Sequence, residues 1–236
     1  MVGDECGCHT RRPYGSNRSL FRQPVASSGA YCVLADEEYD DHHMKKQTPS
    51  AKNATHDRIV DAAARAIRRS GYHGTGVADI MKDAGLTHGG FYAHFASREA
   101  MLVEAADRAG SEAVALMTEI ANASPPQHAL REMLQAYLSD AHVENIETGC
   151  AIAALGSEMP RQASEVRRAA TRRIKEMIDL FTRQMPDWGK PSAHERALAT
   201  AATLVGALVL ARAVDDPALS EALRDAALNH LLPPHP

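Results

Sequence analysis

The stretch "AGLTHGGFYAHFASRE", residues 84–99, decides the fold. Two adjacent glycines follow a Thr-His pair, three aromatic rings come close behind, and an Arg-Glu pair closes the segment. Inside a helix each glycine costs roughly 1 kcal/mol relative to alanine. A segment that keeps both is either a loop that cradles a ligand or a short helix that something must approach very closely.

The flanking sequence favours the helix. From Thr55 onward, Ile59, Ala62, Ala63, Ala66 and Ile67 recur at helical spacing. Thr55 can cap the start of that helix, and Gly71 stands where a helix ends. In "GTGVADIMKDAGL" (74–86), Thr75 or Gly76 can cap a second helix, Val77, Ile80, Met81 and Ala84 form its inner face, and Gly85 ends it. Thr87 then caps a very short third helix, with Phe91 and Phe95 one turn apart on its inner side. Ser97 caps a fourth, whose first turn carries Glu99, a charge that suits the helix dipole. Helix, short helix, glycine turn, short helix and long helix are the proportions of a helix-turn-helix.

The rest of the 236-residue chain reads as long helices. They are expected at about 97–122, 127–145, 150–158, 160–185, 192–213 and 217–231, with "PDWGKP" (186–191) as a linker and Pro217 in a first turn. No strand and no repeat is expected. The fold class is therefore all-α: an N-terminal three-helix helix-turn-helix domain (54–114), then a larger helical ligand-binding and dimerisation domain (115–236). Residues 1–43 have no helical or strand period and read as a disordered extension. Met44 opens "MKKQTPSAKNATHDRIV", which has the form of a natural protein start, so the upstream region is expected to be dispensable or absent from the native protein.

The net charge of −4 demands no polyanionic partner, but its distribution is uneven. Residues 44–98 carry nine Lys/Arg against four Asp/Glu, whereas the segments before and after are acidic. A compact basic segment leading an acidic body is the asymmetry of a small polyanion-binding module joined to something else. Four cysteines, three of them before residue 43, make no disulfide frame, and a reduced cytoplasm is the expected setting. "MVGDECGCHTRRPYG" lacks the apolar core of a signal peptide. "ALATAATLVGALVLARAV" (197–214) has about the minimum length of a membrane span, but its Ala, Thr and Arg212 favour a buried or interface helix, so no membrane partner is expected. Cys6, Cys8 and His9, or Asp40 to His43, lack a matching second half of a metal site, so no metal and no cofactor is expected.

In a helix-turn-helix the second short helix enters the major groove of double-stranded DNA. Thr87 can then bond a phosphate, and Gly89 and Gly90 let the backbone come close to the duplex. His88 is the candidate for a base contact, since its ring can donate or accept. Tyr92 lies outside the Phe91/Phe95 face, with its hydroxyl placed for a phosphate or its ring half-buried as packing. Thr75, His94 and Arg98 complete the candidate DNA-binding set; His94 reads equally well as a structural group and Arg98 equally well as a solvated charge. So thin a base-reading inventory leaves part of the specificity to DNA shape.

Residues about 54–114 resemble the N-terminal DNA-binding domain of the TetR/AcrR family of bacterial transcription regulators, through "RIVDAAARAIRRSGYHGTGVADIMKDAGLTHGGFYAHFASREAMLVEA". The likeness lies in a Gly-aromatic helix end and a following Thr, an apolar-Ala-x-Ile second helix and an Ala-Gly turn. A Tyr and His-Phe in the recognition helix and Ser-Arg-Glu after it complete it. Gly76 departs from the pattern, where Ser or Thr often stands. The resemblance implies an all-helical homodimer that binds a palindromic operator, usually as a repressor, with a helical C-terminal domain around an effector pocket. "TGCAIAALGSEM" (148–159) and "TLVGALVLARAVDDPALSEALRDAAL" (203–228) resemble the family more loosely, the latter as the two helices that pair with those of the partner subunit. Their excess of apolar surface agrees, because an isologous twofold interface would bury it.

The pocket for a small-molecule effector is expected among the helices of about 112–185. Met117, Met133, Tyr137, Cys150, Met159, Met177 and Phe181 are its candidates, although methionine at helical spacing is more often ordinary core. Cys150 sits at an expected helix start, which can activate a thiol toward electrophiles, or it is simply a small buried residue. Two rival functions have less support. "HGGF" (88–91) is similar to the oxyanion loop of some α/β-hydrolases, but the G-x-S-x-G elbow and the strands are missing, so no enzyme is expected. A helical adaptor that binds proteins and not DNA leaves the basic segment unexplained.

Overall fold

The computed structural model describes residues 51–232, which form helices and turns with no strand. The expectations for residues 1–43 and for Met44 lie outside the described residues. The helices are α1 (Ala51–Ser70), α2 (Val77–Asp83), α3 (Arg98–Ala123), α4 (Ala129–Tyr137), α5 (Asp140–Glu144), α6 (Ala151–Leu155), α7 (Ser164–Gln184), α8 (Pro191–Ala213) and α9 (Pro217–Leu231). Short 3-10 helices lie at His88–Ala93, between α2 and α3, and at Met159–Arg161, between α6 and α7.

The stop signals act as the sequence suggests. Gly71 takes φ +74° and donates its N–H to the Ile67 carbonyl (2.8 Å), and Gly85 takes φ +69° after α2. L-residues with a side chain adopt that conformation only at a cost. The start signals are less faithful. Helix α1 begins at Ala51, and the Thr55 hydroxyl donates to the Ala51 carbonyl (3.0 Å) inside the helix instead of capping it. Gly76 is the N-cap of α2, while Thr75 is buried and donates to the carbonyls of Gly71 (2.8 Å) and Ala66 (3.2 Å). Ser97 caps α3 as expected, accepting from the Ala100 N–H at 3.1 Å.

The third element is a 3-10 helix, not an α-helix. Two glycines in six residues remove most of its intrinsic preference, and 3-10 geometry is usual in pieces this short. Buried Phe91 and Phe95 anchor it. The helix expected over 127–145 is broken into α4 and α5, because Ser139 caps a new start by accepting from the His142 N–H (3.2 Å). Pro160 opens only a 3-10 turn, and α7 starts at Ser164.

Two cores share one helix. The first gathers Ile59, Ile67, Ile80, Phe91 and Met101 from the helix-turn-helix, together with Leu155 of α6 and Val166 of α7. The second gathers Met117, Met133, Tyr137, Phe181 and Leu208. Helix α3, 26 residues and so about 39 Å long, supplies its first half to one core and its second half to the other. Helix α7 packs closely on α3 at Gly110, where a Cβ would stand 2.6 Å from Cβ and Cγ of Arg173. The same arginine donates to Asp107 through Nε (2.9 Å) and Nη2 (2.5 Å).

The loop after α1 is tied from several sides. Arg98, the first residue of α3, donates to the carbonyls of Tyr72 and Thr75. The Tyr72 N–H donates to Glu158 Oε2 at 2.9 Å. Gly71→Ala would force an L-side chain into the left-handed region and press its Cβ to 2.3 Å from Glu158 Oε1. The expected loss is about 1–2 kcal/mol, read by thermal unfolding as roughly 2–4 °C per kcal/mol.

Candidate nucleic-acid interface and ligand cavity

The 3-10 helix presents its outer side to solvent. Thr87, His88, Gly89 and Tyr92 are exposed, Tyr92 at 72%. The Tyr92 ring stands at right angles to that of Phe91, with centroids 5.2 Å apart. Thr87 stands at the N-cap, but its side chain makes no capping bond, which leaves the hydroxyl free for an outside acceptor. A Cβ added at Gly89 would meet nothing within 4 Å, and one at Gly90 would meet only Met81 Cε (3.6 Å) and Thr87 Oγ1 (3.8 Å). Neither glycine has a positive φ. Nothing inside the protein therefore requires glycine at either position, and the absence of side chains opens the outer surface.

Three of the expected DNA contacts are placed differently. Thr75 is 5% exposed with its hydroxyl used internally, so it is a structural residue of the α1–α2 loop. Arg98 spends its Nη2 on two loop carbonyls. His94 is half-buried, with Nδ1 sealed from solvent and its ring centroid 6.1 Å from that of His56. His56 in turn stacks on Phe95 (4.5 Å) and bonds Glu104 (2.7 Å).

A cavity of about 80 Å³ lies between α3, α4, α6, α7 and α8, lined almost wholly by apolar side chains. Of the expected pocket residues, Tyr137, Cys150, Met159, Met177 and Phe181 line it. Met117 lines a smaller adjoining recess, and Met133 lies fully buried in the core and lines neither. Sequence reasoning missed Tyr72, Gly110 and Arg173 on the wall. Tyr72 is hidden because it belongs to the helix-turn-helix half. Gly110 and Arg173 read as helix interior and solvated charge, and only their mutual contact gives them a place at the cavity.

The comparisons with known proteins follow the same division. Residues 59–105 match the family described as bacterial regulatory proteins, tetR family, and residues 126–227 match the LmrA/YxaF-like transcriptional regulator C-terminal domain. An HTH-type transcriptional regulator of Mycobacterium tuberculosis is 32% identical over 165 residues, covering 66% of this chain and 83% of its own. The chain belongs to the TetR family of bacterial transcriptional regulators. LmrA of Bacillus subtilis, also an HTH-type regulator, is 26% identical over 65% of this chain and 81% of its own. Among solved structures, reduced Escherichia coli NemR superposes with a TM-score of 0.66 at 19% identity, over 76% of this chain and 95% of that one. A TetR-family regulator from Agrobacterium tumefaciens gives 0.64 at 24%, over 76% and 98%.

Membership of the TetR family makes the chain a DNA-binding transcriptional regulator and removes the hydrolase and adaptor readings. Helix α8 is long and apolar enough to cross a membrane by length and composition. Here it packs against α6, α7 and α9.

Below the cavity of this TetR-family chain lies a polar cluster. The Cys150 N–H donates to His142 Nε2 (2.9 Å), and His142 Nδ1 stands 2.6 Å from the Tyr137 carbonyl, which fixes the ring as the tautomer with its proton on Nδ1. Arg212 donates to the carbonyls of His142 (2.5 Å) and Val143 (3.1 Å). Cys150 is buried, and the α6 it precedes has only five residues, so the expected helix-dipole activation of its thiol has little behind it. Burial lowers the His142 pKa; the bond to the Tyr137 carbonyl opposes this and the Arg212 charge adds to it.

Two outcomes are expected. Gly89→Leu should leave the melting temperature nearly unchanged, as a surface substitution does. It should weaken DNA binding by roughly the 1–3 kcal/mol of one good base contact, read by fluorescence anisotropy; equal affinity would remove Gly89 from the interface. The neutral His142 ring is the folded form, so its stabilisation is present above the ordinary imidazole pKa and lost as pH falls through the lowered value. Thermal midpoints measured from about pH 7.5 down to about pH 5 should fall more steeply for the natural chain than for His142→Asn.

Proposed function

We propose that this regulator is a repressor that binds a palindromic operator as a homodimer and is released by a small molecule entering the cavity. The observation that carries it is the outer side of His88–Ala93, where glycines that the protein does not need lie beside the free groups of Thr87, His88 and Tyr92. His88 reads a base, and Thr87 and Tyr92 hold phosphates. The setting is the bacterial cytoplasm.

The homodimer rests on a second surface. Leu198, Ala202, Gly206 and Leu210 form an exposed stripe at four-residue spacing on α8, and Ala218, Leu219, Ala222 and Ala226 form another on α9. A Cβ at Gly206 would meet nothing within 4 Å, so a second helix can lie close there. Pairing two copies through these stripes sets the recognition elements in successive major grooves, about 34–36 Å apart. A ligand that favours a different separation shifts the population away from DNA by its differential affinity for the two arrangements.

A gel shift of the full chain on the DNA flanking its own gene, at two salt concentrations with competitor, tests this reading. Competitor-resistant, salt-sensitive binding by a dimer is expected. Leu210→Glu should leave a folded monomer in sedimentation experiments and abolish that binding. A dimeric Leu210→Glu would move the interface elsewhere, and no binding at any salt would overturn the operator reading.

A further inference from the structure

Among the described residues, two hydroxyls in the cavity lack an oxygen or nitrogen partner. The side-chain oxygens of Tyr72 and Tyr137 are both buried, at 1% and 3% exposure, and only a sulfur stands within reach of the second. The polar group beside the Tyr137 hydroxyl is the Cys150 thiol, a weak donor and acceptor. An unsatisfied buried hydroxyl is costly, roughly 1–3 kcal/mol, and here two of them line one otherwise apolar wall. Water satisfies such groups poorly in that setting, since a buried water needs two to four polar partners. Burial raises both phenol pKa values, Tyr72 also through nearby Glu158 and Tyr137 also through Cys150, so both hydroxyls keep their protons and can donate.

The charge on the wall is already committed. Among the described residues that line it, Arg173 alone has an ionic side chain, and its guanidinium is held by Asp107 and by Glu176 (2.8 Å). Among the described lining residues an anionic ligand finds no free cation and a cationic one no free carboxylate; Arg212, bonded to the carbonyls of His142 and Val143 beneath the cavity, is not part of its wall.

We propose that the cavity takes an uncharged, largely apolar molecule bearing a carbonyl-type acceptor, and that the hydroxyls of Tyr72 and Tyr137 donate to it. This rests on the reading of the chain as a ligand-released regulator and names the class of its ligand. It also names a route to the DNA-binding half. Tyr72 belongs to the loop between α1 and α2, its N–H is held by Glu158, and its carbonyl is held by Arg98 at the start of α3. A molecule held by both hydroxyls therefore grips the effector half and the helix-turn-helix half at once.

The test uses the full chain and paired probes: acetophenone and benzophenone against ethylbenzene and diphenylmethane, which match them in shape but lack the acceptor. Calorimetry should show at least one ketone binding about tenfold more tightly than its hydrocarbon partner, as a satisfied buried donor predicts. Tyr137→Phe and Tyr72→Phe should each shrink that preference severalfold, and the double variant should abolish it. Both variants should melt close to the natural chain, because Tyr72 loses an unpartnered oxygen and Tyr137 one met only by a weakly bonding thiol, and this separates loss of binding from loss of fold. Equal affinity for ketone and hydrocarbon, absence of ketone binding, or a preference that survives both substitutions would overturn the proposal. Operator binding without ketone preference would reject this inference alone, and ketone preference without operator binding would reject the repressor reading alone.

Discussion

Everything on either side of α3 depends on how closely α7 can lie against it. Gly110 permits the approach, since any larger residue would strike the stem of Arg173. One turn earlier, Asp107 takes that arginine in two bonds and Arg172 in a third (2.5 Å). Burial alone would raise the Asp107 pKa, but the guanidinium hydrogen bonds, Arg173 first, more than reverse it and hold the carboxyl below its ordinary value. The pair is only partly buried, so its worth lies less in raw stability than in fixing one register between the helices. That register sets the cavity wall on one side and carries the helix-turn-helix on the other.

The same helix explains why no clean boundary divides the two halves. Leu155 and Val166, from the C-terminal half, complete the core beneath the 3-10 helix at His88–Ala93. Buried Arg68 of α1 bonds the Ala109 carbonyl (3.2 Å) and Glu112 (2.6 Å) farther along α3. A change in the tilt of α3 must be felt in both cores, because neither is packed without it.

Much of this was legible from the residues. Gly71, Gly85 and Ser97 marked helix ends because their signals are local: a positive φ or a capping hydroxyl needs no distant partner. Phe91 and Phe95 were legible as core through spacing alone. Thr55 and Thr75 misled, and Ser139 was passed over as a helix start, for one shared reason. A hydroxyl bonds whichever backbone group lies nearest, and only the fold decides whether that group is a helix start, a loop carbonyl or an interior turn. Arg98 and His94 looked like surface groups because their partners lie 23 to 38 residues away in sequence. Tyr72 was invisible as a cavity residue because no periodicity links a loop after the first helix to the wall formed by α4 and α7. Met133 was a fair candidate by composition and turned out to be plain core.

The exposed 3-10 helix separates two kinds of inheritance. Phe91 and Phe95 hold it in place, while His88, Gly89 and Tyr92 contribute almost nothing to the interior. Residues that carry no packing duty can change without unfolding the chain. If these positions read the operator, as proposed, a lineage could exchange one operator for another by substitutions there, with the scaffold and the cavity left as they are. Innovation in what the protein recognises would be decoupled from its survival as a folded molecule.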